Sequence, residues 1–379
     1  MSTATISRTR VRDGRAQLAR AVGAPGPTLV LDADTLPSRD GELLASLAAV
    51  RLGLRAAHPA PGADGPDSGQ GGDGSGEQGE VLKWALLAPS PHPLFDLDYR
   101  FVQAMPGSHD RFDLNGNCGH SLLAAITATA GRGRLDRLAV GDRVRVRVLN
   151  NGDQVVCEVD ETARGRAVFT AHFLTPPHTR LGSLLRDGGR VVSMGNPYLF
   201  VDAARLGVRS PEQLFGEPPG LCQALARLRE QQAARLGWPV DGAFPKVAAV
   251  VAAGPGRLAV RALTVPGWHP GLALTGAVCL AAASALRGTV PHRLSHVFGA
   301  PPSGRIQIDT PSGPVEARYA ATGDGQDDEL LWVSVGGKEV HLLGPVAVDL
   351  PDLPDSPDLP NLPDLAGPAA SDAEELSHA

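Results

Sequence analysis

Apolar and polar residues alternate strictly in Arg143-Val-Arg-Val-Arg-Val-Leu149, the period-two pattern of a strand with one face in solvent. Residues 154–159 and 166–173 follow at hairpin distances, so the three segments predict an antiparallel meander. Short apolar runs predict further strands at 28–32, 81–88, 96–105, 192–202, 244–251 and 257–265. Residues 306–320 predict a hairpin turning at Thr310-Pro-Ser-Gly313, and 331–348 two more strands. Helical spacing shows in 39–54 through Leu43, Leu44, Leu47 and Val50, and again through Leu221, Leu225, Leu228 and Leu236 before Gly237. Residues 1–27 show little periodicity.

Two stretches break the amphipathic rule. Residues 118–130 and 276–286 are small and apolar on every side, so each predicts a helix enclosed all round. Each follows a strand with one lysine: Leu82-Lys-Trp-Ala-Leu-Leu87 about 35 residues before the first, Pro245-Lys-Val-Ala-Ala-Val250 about 30 before the second. The parallel suggests an internal duplication. The expected fold is α+β, with two pseudo-symmetric lobes, each a curled, mainly antiparallel sheet around a central apolar helix, and a cleft receiving both helix starts. Residues 1–190 form the N-terminal lobe and 191–348 the C-terminal lobe. Residues 58–80, rich in Gly, Asp, Pro and Ser, predict a mobile insertion. Residues 349–379 repeat a Pro-Asp-Leu unit and predict a solvated acidic extension.

The chemistry converges on Asp113-Leu-Asn-Gly-Asn-Cys-Gly-His120, where a tight loop delivers Cys118 to a helix start. A thiol there faces unpaired backbone N–H groups and the positive end of the helix dipole, which favour thiolate. The alternative is a buried cysteine in a core helix. The four cysteines, at 118, 157, 222 and 279, are widely spaced and form no C-x-x-C pair, so they read as free thiols. The histidines show no metal-ligand spacing.

Composition sharpens the picture in two places. The net charge of −6 is uneven: 349–379 hold eight acidic residues and 58–80 five, with no Lys or Arg in either. The remainder is mildly basic, which suits a small anionic ligand and is too scattered for nucleic acid. The 35 basic residues include only three lysines, Lys83, Lys246 and Lys338. Guanidinium stays protonated, whereas a desolvated ammonium can act as a base, which singles the lysines out. No apolar run approaches the roughly 20 residues that span a bilayer, and no signal-peptide core opens the chain, so the protein is read as cytoplasmic with no membrane partner.

Together, Asn115-Gly-Asn-Cys-Gly119, Leu82-Lys-Trp-Ala-Leu-Leu-Ala-Pro-Ser90, Ser193-Met-Gly-Asn-Pro-Tyr-Leu-Phe-Val-Asp202, Phe244-Pro-Lys-Val-Ala248, Leu274-Thr-Gly-Ala-Val-Cys279 and Thr310-Pro-Ser-Gly313 resemble the 2-methylaconitate cis-trans isomerase (PrpF) family, relatives of diaminopimelate epimerase with the same two-lobed fold. The resemblance runs from about residue 80 to 345. It implies a cofactor-independent enzyme without a metal that shifts a double bond in an unsaturated acid by proton transfer. By position, Lys83 and Cys118 match the essential lysine and cysteine. Backbone N–H groups of 117–120 and 275–277 would bind carboxylates and stabilise a dienolate. Asn115, Asn117, Gly119, His120, Lys246, His269, Thr275 and Gly276 are the substrate-binding candidates; for Lys246, His120 and His269 structural roles are the alternative. The chain departs from the family at 22–28, where Val-Gly-Ala-Pro-Gly-Pro-Thr replaces a polar Arg-Gly-Gly-Thr-Ser-Lys-Gly loop. The place of the second epimerase cysteine falls near Ala273, and Cys279 reads as core.

Three functions follow in order: an isomerase using Lys83 and Cys118 on an unsaturated carboxylic acid or carbonyl compound, a repurposed member that folds a polyene or polyketide for cyclisation, and a non-catalytic small-molecule binder. A homodimer is left open.

Overall fold

The structure is a computed structural model that describes residues 15–57, 80–133, 135–264, 267–299 and 304–348. The insertion expected at 58–80, apart from Glu80, and the extension expected at 349–379 lie outside the described residues.

The chain begins with β1 (Arg15–Ala21) and β2 (Thr28–Asp32), followed by α1 (Asp40–Ala57). Next come β3 (Lys83–Pro89), β4 (Leu97–Ala104), the short β5 (Phe112–Asp113) and α2 (Gly119–Gly131). The meander is β6 (Arg143–Val148), β7 (Gln154–Ala163) and β8 (Arg166–Leu174), antiparallel throughout. After β9 (Leu185–Arg186), β10 (Val191–Met194) and β11 (Asn196–Asp202) stand α3 (Pro211–Phe215) and α4 (Leu221–Arg235). Then follow β12 (Lys246–Gly254), β13 (Arg257–Leu263), α5 (Leu274–Ala285) and α6 (Val290–Ser295), and the described chain ends in β14 (Arg305–Thr310), β15 (Gly313–Ala321) and β16 (Leu330–Ala347).

Eight strands close into a ring in the order β1-β2-β3-β4-β6-β7-β8-β16, because β16 pairs back onto β1. From β16 the sheet continues through β15, β14, β13, β12, β11, β10 and β9. Strand parity shows which residues enter the interior. In β3, Ala85 and Leu87 join the main core while Trp84 and Leu86 pack outward against Leu43, Leu47 and Val50 of α1. In β12, Ala248 and Val250 face the core, and Val247, Ala249 and Val251 pack under Leu214, Leu221 and Leu225 of α3 and α4. Strands buried on both faces explain the continuous apolar runs of the sequence.

Helix α2 lies inside the ring, with Gly119 to Thr129 all buried, and all 12 residues of α5 are buried. Their Gly, Ala, Ser and Thr side chains let strands approach from every direction. The apolar residues around the two helices form one contiguous cluster.

Two expectations need correction. Residues 15–21 form β1, whose bulge between Leu18 and Ala19 breaks the alternation and hides the strand. Residues 331–348 form one long strand instead of two, because Gly336-Gly337 makes a bulge and not a turn. Among the described residues, no helix is long and apolar enough to cross a membrane.

Candidate active site

Cys118 is the N-cap of α2, with extended backbone, and is 7% exposed. The preceding loop is built by Asp113, whose Oδ1 accepts from the Asn115 backbone N–H (2.8 Å) and Asn115 Nδ2 (3.1 Å). Gly116 is required because a Cβ there would lie 2.2 Å from Cζ of Phe244. Tyr99 donates from its hydroxyl to the Cys118 carbonyl at 3.0 Å and pins the helix start to β4.

Burial pushes the Cys118 thiol up, but the Lys83 ammonium, the Ser121 hydroxyl and N–H, and the Lys246 ammonium outweigh it, so the thiol is held below its ordinary range. Strand parity places both lysines at the interior. Lys83 opens β3 with the parity of Ala85 and Leu87, and Lys246 opens β12 with that of Ala248 and Val250. Burial brings the Lys246 ammonium down to about 8, and its Nζ lies 4.9 Å from the centre of the Phe244 ring.

His120 and His269 are 2% and 3% exposed, with ring centres 6.1 Å apart. Burial, followed by the charge of Lys83 and Lys246, brings His269 down to about 3; for His120 burial and then Lys338 and Lys83 act in the same direction. Both rings are neutral at neutral pH. His269 Nδ1 accepts from the Gly271 N–H at 3.1 Å, which assigns the proton to Nε2. That Nε2, and both nitrogens of His120, have no hydrogen-bond partner among the described residues.

The other candidates divide by role. Asn117 and Thr275 tie the two helix starts together through Asn196. Asn196 Oδ1 accepts from the Asn117 N–H (2.9 Å), and its Nδ2 donates to the Asn117 carbonyl (2.7 Å) and Thr275 Oγ1 (3.0 Å). Asn117 Nδ2 also donates to Asp153 at 3.0 Å. The N–H of Asn117 is therefore already engaged, as is that of Ala277, which donates to Ala273 at 2.9 Å. The first-turn N–H groups of Gly119 and His120 have no helical partner. Gly119 and Gly276 are close-packing positions: a Cβ would meet Leu274 at 2.6 Å and the Tyr198 hydroxyl at 2.5 Å. Asn115 is exposed and bonds to Asp113 within its own loop. Cys279 is core, donating to the Val192 carbonyl at 3.2 Å, with burial pushing its thiol up to about 12.

A model of the family described as "PrpF protein" matches residues 186–339. YbhH of Escherichia coli (strain K12), an isomerase by inference, is 27% identical over 283 residues, covering 67% of this chain and 79% of the relative. Over residues 186–339 the chain is similar to PrpF proteins. Among solved structures, a methylitaconate-delta-isomerase shares 19% identity at a TM-score of 0.55, over 90% of this chain and 96% of that one. A probable proline racemase from Agrobacterium radiobacter K84 shares 15% identity at a TM-score of 0.53, over 89% and 93%. At these identities the two likenesses fix the fold alone, a mixed α/β arrangement consistent with the epimerase-like architecture expected.

The motifs point to Lys83, Cys118 and Lys246 but pass over Lys338 and Asn196. Asn196 stands within Gly195-Asn-Pro197, which reads as a turn signal, and only the structure shows its amide joining the two helix starts. A separate groove of about 790 Å³ lies on the outer face of β6, β7, β8, β15 and β16. Its Arg143, Arg145 and Arg318 are paired with Glu158, Asp96 and Glu316, so among the described residues it offers a ligand no free Arg or Lys.

Proposed function

We propose that the protein is an isomerase that moves a proton between carbons of an unsaturated carboxylic acid or carbonyl compound, with Lys83 and Cys118 as the acid/base pair. One group removes an allylic proton, the electron pair shifts along the conjugated system, and the other group delivers a proton to the far carbon. The first-turn N–H groups of α2 face the oxyanion that develops in between. The observation that carries this reading is the inward-facing Lys83 ammonium favouring the thiolate of Cys118 at the start of a buried helix. YbhH is an isomerase by inference and the methylitaconate-delta-isomerase shares the fold, which supports the class.

We read the two rows of strands as the two lobes, divided near residue 190, with the site between their helix starts. The three lysines make the site charged, so the cyclisation reading, which needs an apolar cleft, gains no support.

Deuterium incorporation from D2O into a panel of branched unsaturated mono- and dicarboxylic acids, followed by proton NMR, tests the pair. Lys83→Ala and Cys118→Ser are each expected to lose at least about a hundredfold in exchange and turnover. Wild-type exchange in either variant sinks the assignment.

A further inference from the structure

Lys338 is 8% exposed, and its position is set by an irregularity of β16. Val335 opposes Ala171 and Lys338 opposes Phe169, so three steps along β16 match two along β8. The extra residue is taken up at Gly336-Gly337, with Gly337 at φ 64°. In a regular ladder Gly337 would oppose Phe169 and Lys338 would face outward. The bulge instead gives Lys338 the same face as Phe169, which is fully buried in the main core. Lys338 therefore enters the ring that encloses α2.

Among the described residues nothing neutralises it. Lys338 has no hydrogen-bond or ion-pair partner among the described residues. Its charge acts on His120 and on His269, the two rings with unpartnered nitrogens. Val22 N–H donates to the Glu339 carbonyl at 2.8 Å, so the turn after β1 lies over the same stretch of β16. That turn, Val22-Gly-Ala-Pro-Gly-Pro27, carries no charged side chain. A buried ammonium with no counter-ion among the described residues, in the ring whose enclosed helix carries His120, with the His269 ring 6.1 Å from that of His120, is an incomplete arrangement that an anion completes.

We infer that Lys338, with His120 and His269, binds a carboxylate of the substrate remote from the reacting carbon and so sets specificity for ligands with a second acid group. The inference rests on the isomerase reading only for the kind of ligand that enters. Its test reads binding and requires no turnover.

Succinate and butyrate, which differ by one carboxylate, serve as probes in isothermal titration calorimetry. Wild-type protein is expected to bind succinate more tightly. Lys338→Met and Lys338→Gln are expected to weaken succinate by about 10–100-fold, the range for one charged hydrogen bond, and to leave butyrate within about twofold. Lys338→Arg should restore part of the preference. Unchanged succinate affinity in the two neutral variants overturns the inference, as does wild-type protein that binds the two acids alike or binds neither. Loss of deuterium exchange in Lys83→Ala is independent of these outcomes, so the two readings fail separately.

Discussion

At the scale of single residues, the site is a set of groups whose charges are shifted by burial and by one another. Burial acts against the Cys118 thiolate, and the Lys83 ammonium is the largest influence opposing it. Thiolate absorbance at 240 nm, taken as the difference between wild type and Cys118→Ser, should therefore titrate below the ordinary thiol range. Lys83→Met should move the midpoint upward; an unmoved midpoint would separate Lys83 from the thiol. Lys338 gives a second test. Burial lowers it from 10.5 to about 8, so folding is penalised wherever the folded lysine is charged. The penalty is full below pH 8, at about 3 kcal/mol by the free energy of the shift, and fades as pH rises to 10.5, where the unfolded lysine also loses its proton. Urea unfolding should find Lys338→Met more stable than wild type at pH 7, with the gap closing near pH 10.5. Cys118 and Lys83 were legible in the sequence because their settings are local, an Asn/Gly loop before an apolar helix and an apolar strand. Lys338 stood out only as one of three scarce lysines; its inward face was not legible, because it depends on one extra residue that only the pairing with β8 shows.

At the scale of elements, the two buried helices were legible because nothing else explains segments apolar on all sides. The joint between them was not, since Asn196 is 79 residues from both Asn117 and Thr275. Its three hydrogen bonds are made where water is absent, with Asn196 5% exposed and Asn117 2%. Asn196→Ala leaves the Asn117 N–H and carbonyl buried without partners, an effect of about 2–3 kcal/mol. Urea denaturation should show that loss, and turnover should fall with it, because Asn117 immediately precedes Cys118. A variant as stable and as active as wild type would show that the joint is incidental. Strand β1 was missed for a related reason: its bulge and its small residues erase the alternation that marked the 143–173 meander.

At the scale of the whole molecule, the halves expected from internal duplication are joined by shared packing. Strand β16 forms ladders with β15, β8 and β1, so the ring around α2 and the row around α5 share a strand. The apolar residues of both helices belong to one cluster. Neither half can lose its sheet without uncovering the other's core, and the chain should unfold as a single unit. Two tryptophans report on the two sides: Trp84 packs edge-on against Phe112 at 5.8 Å, and Trp268 lies under the Arg261 guanidinium at 4.9 Å. In two variants, each keeping one of these and carrying phenylalanine at the other three tryptophan positions, the urea-unfolding midpoints by fluorescence should coincide with each other and with circular dichroism. Separate transitions would mean that β16 divides at its Gly336-Gly337 bulge. The bulge that turns Lys338 inward would then also mark the boundary between two independently stable halves.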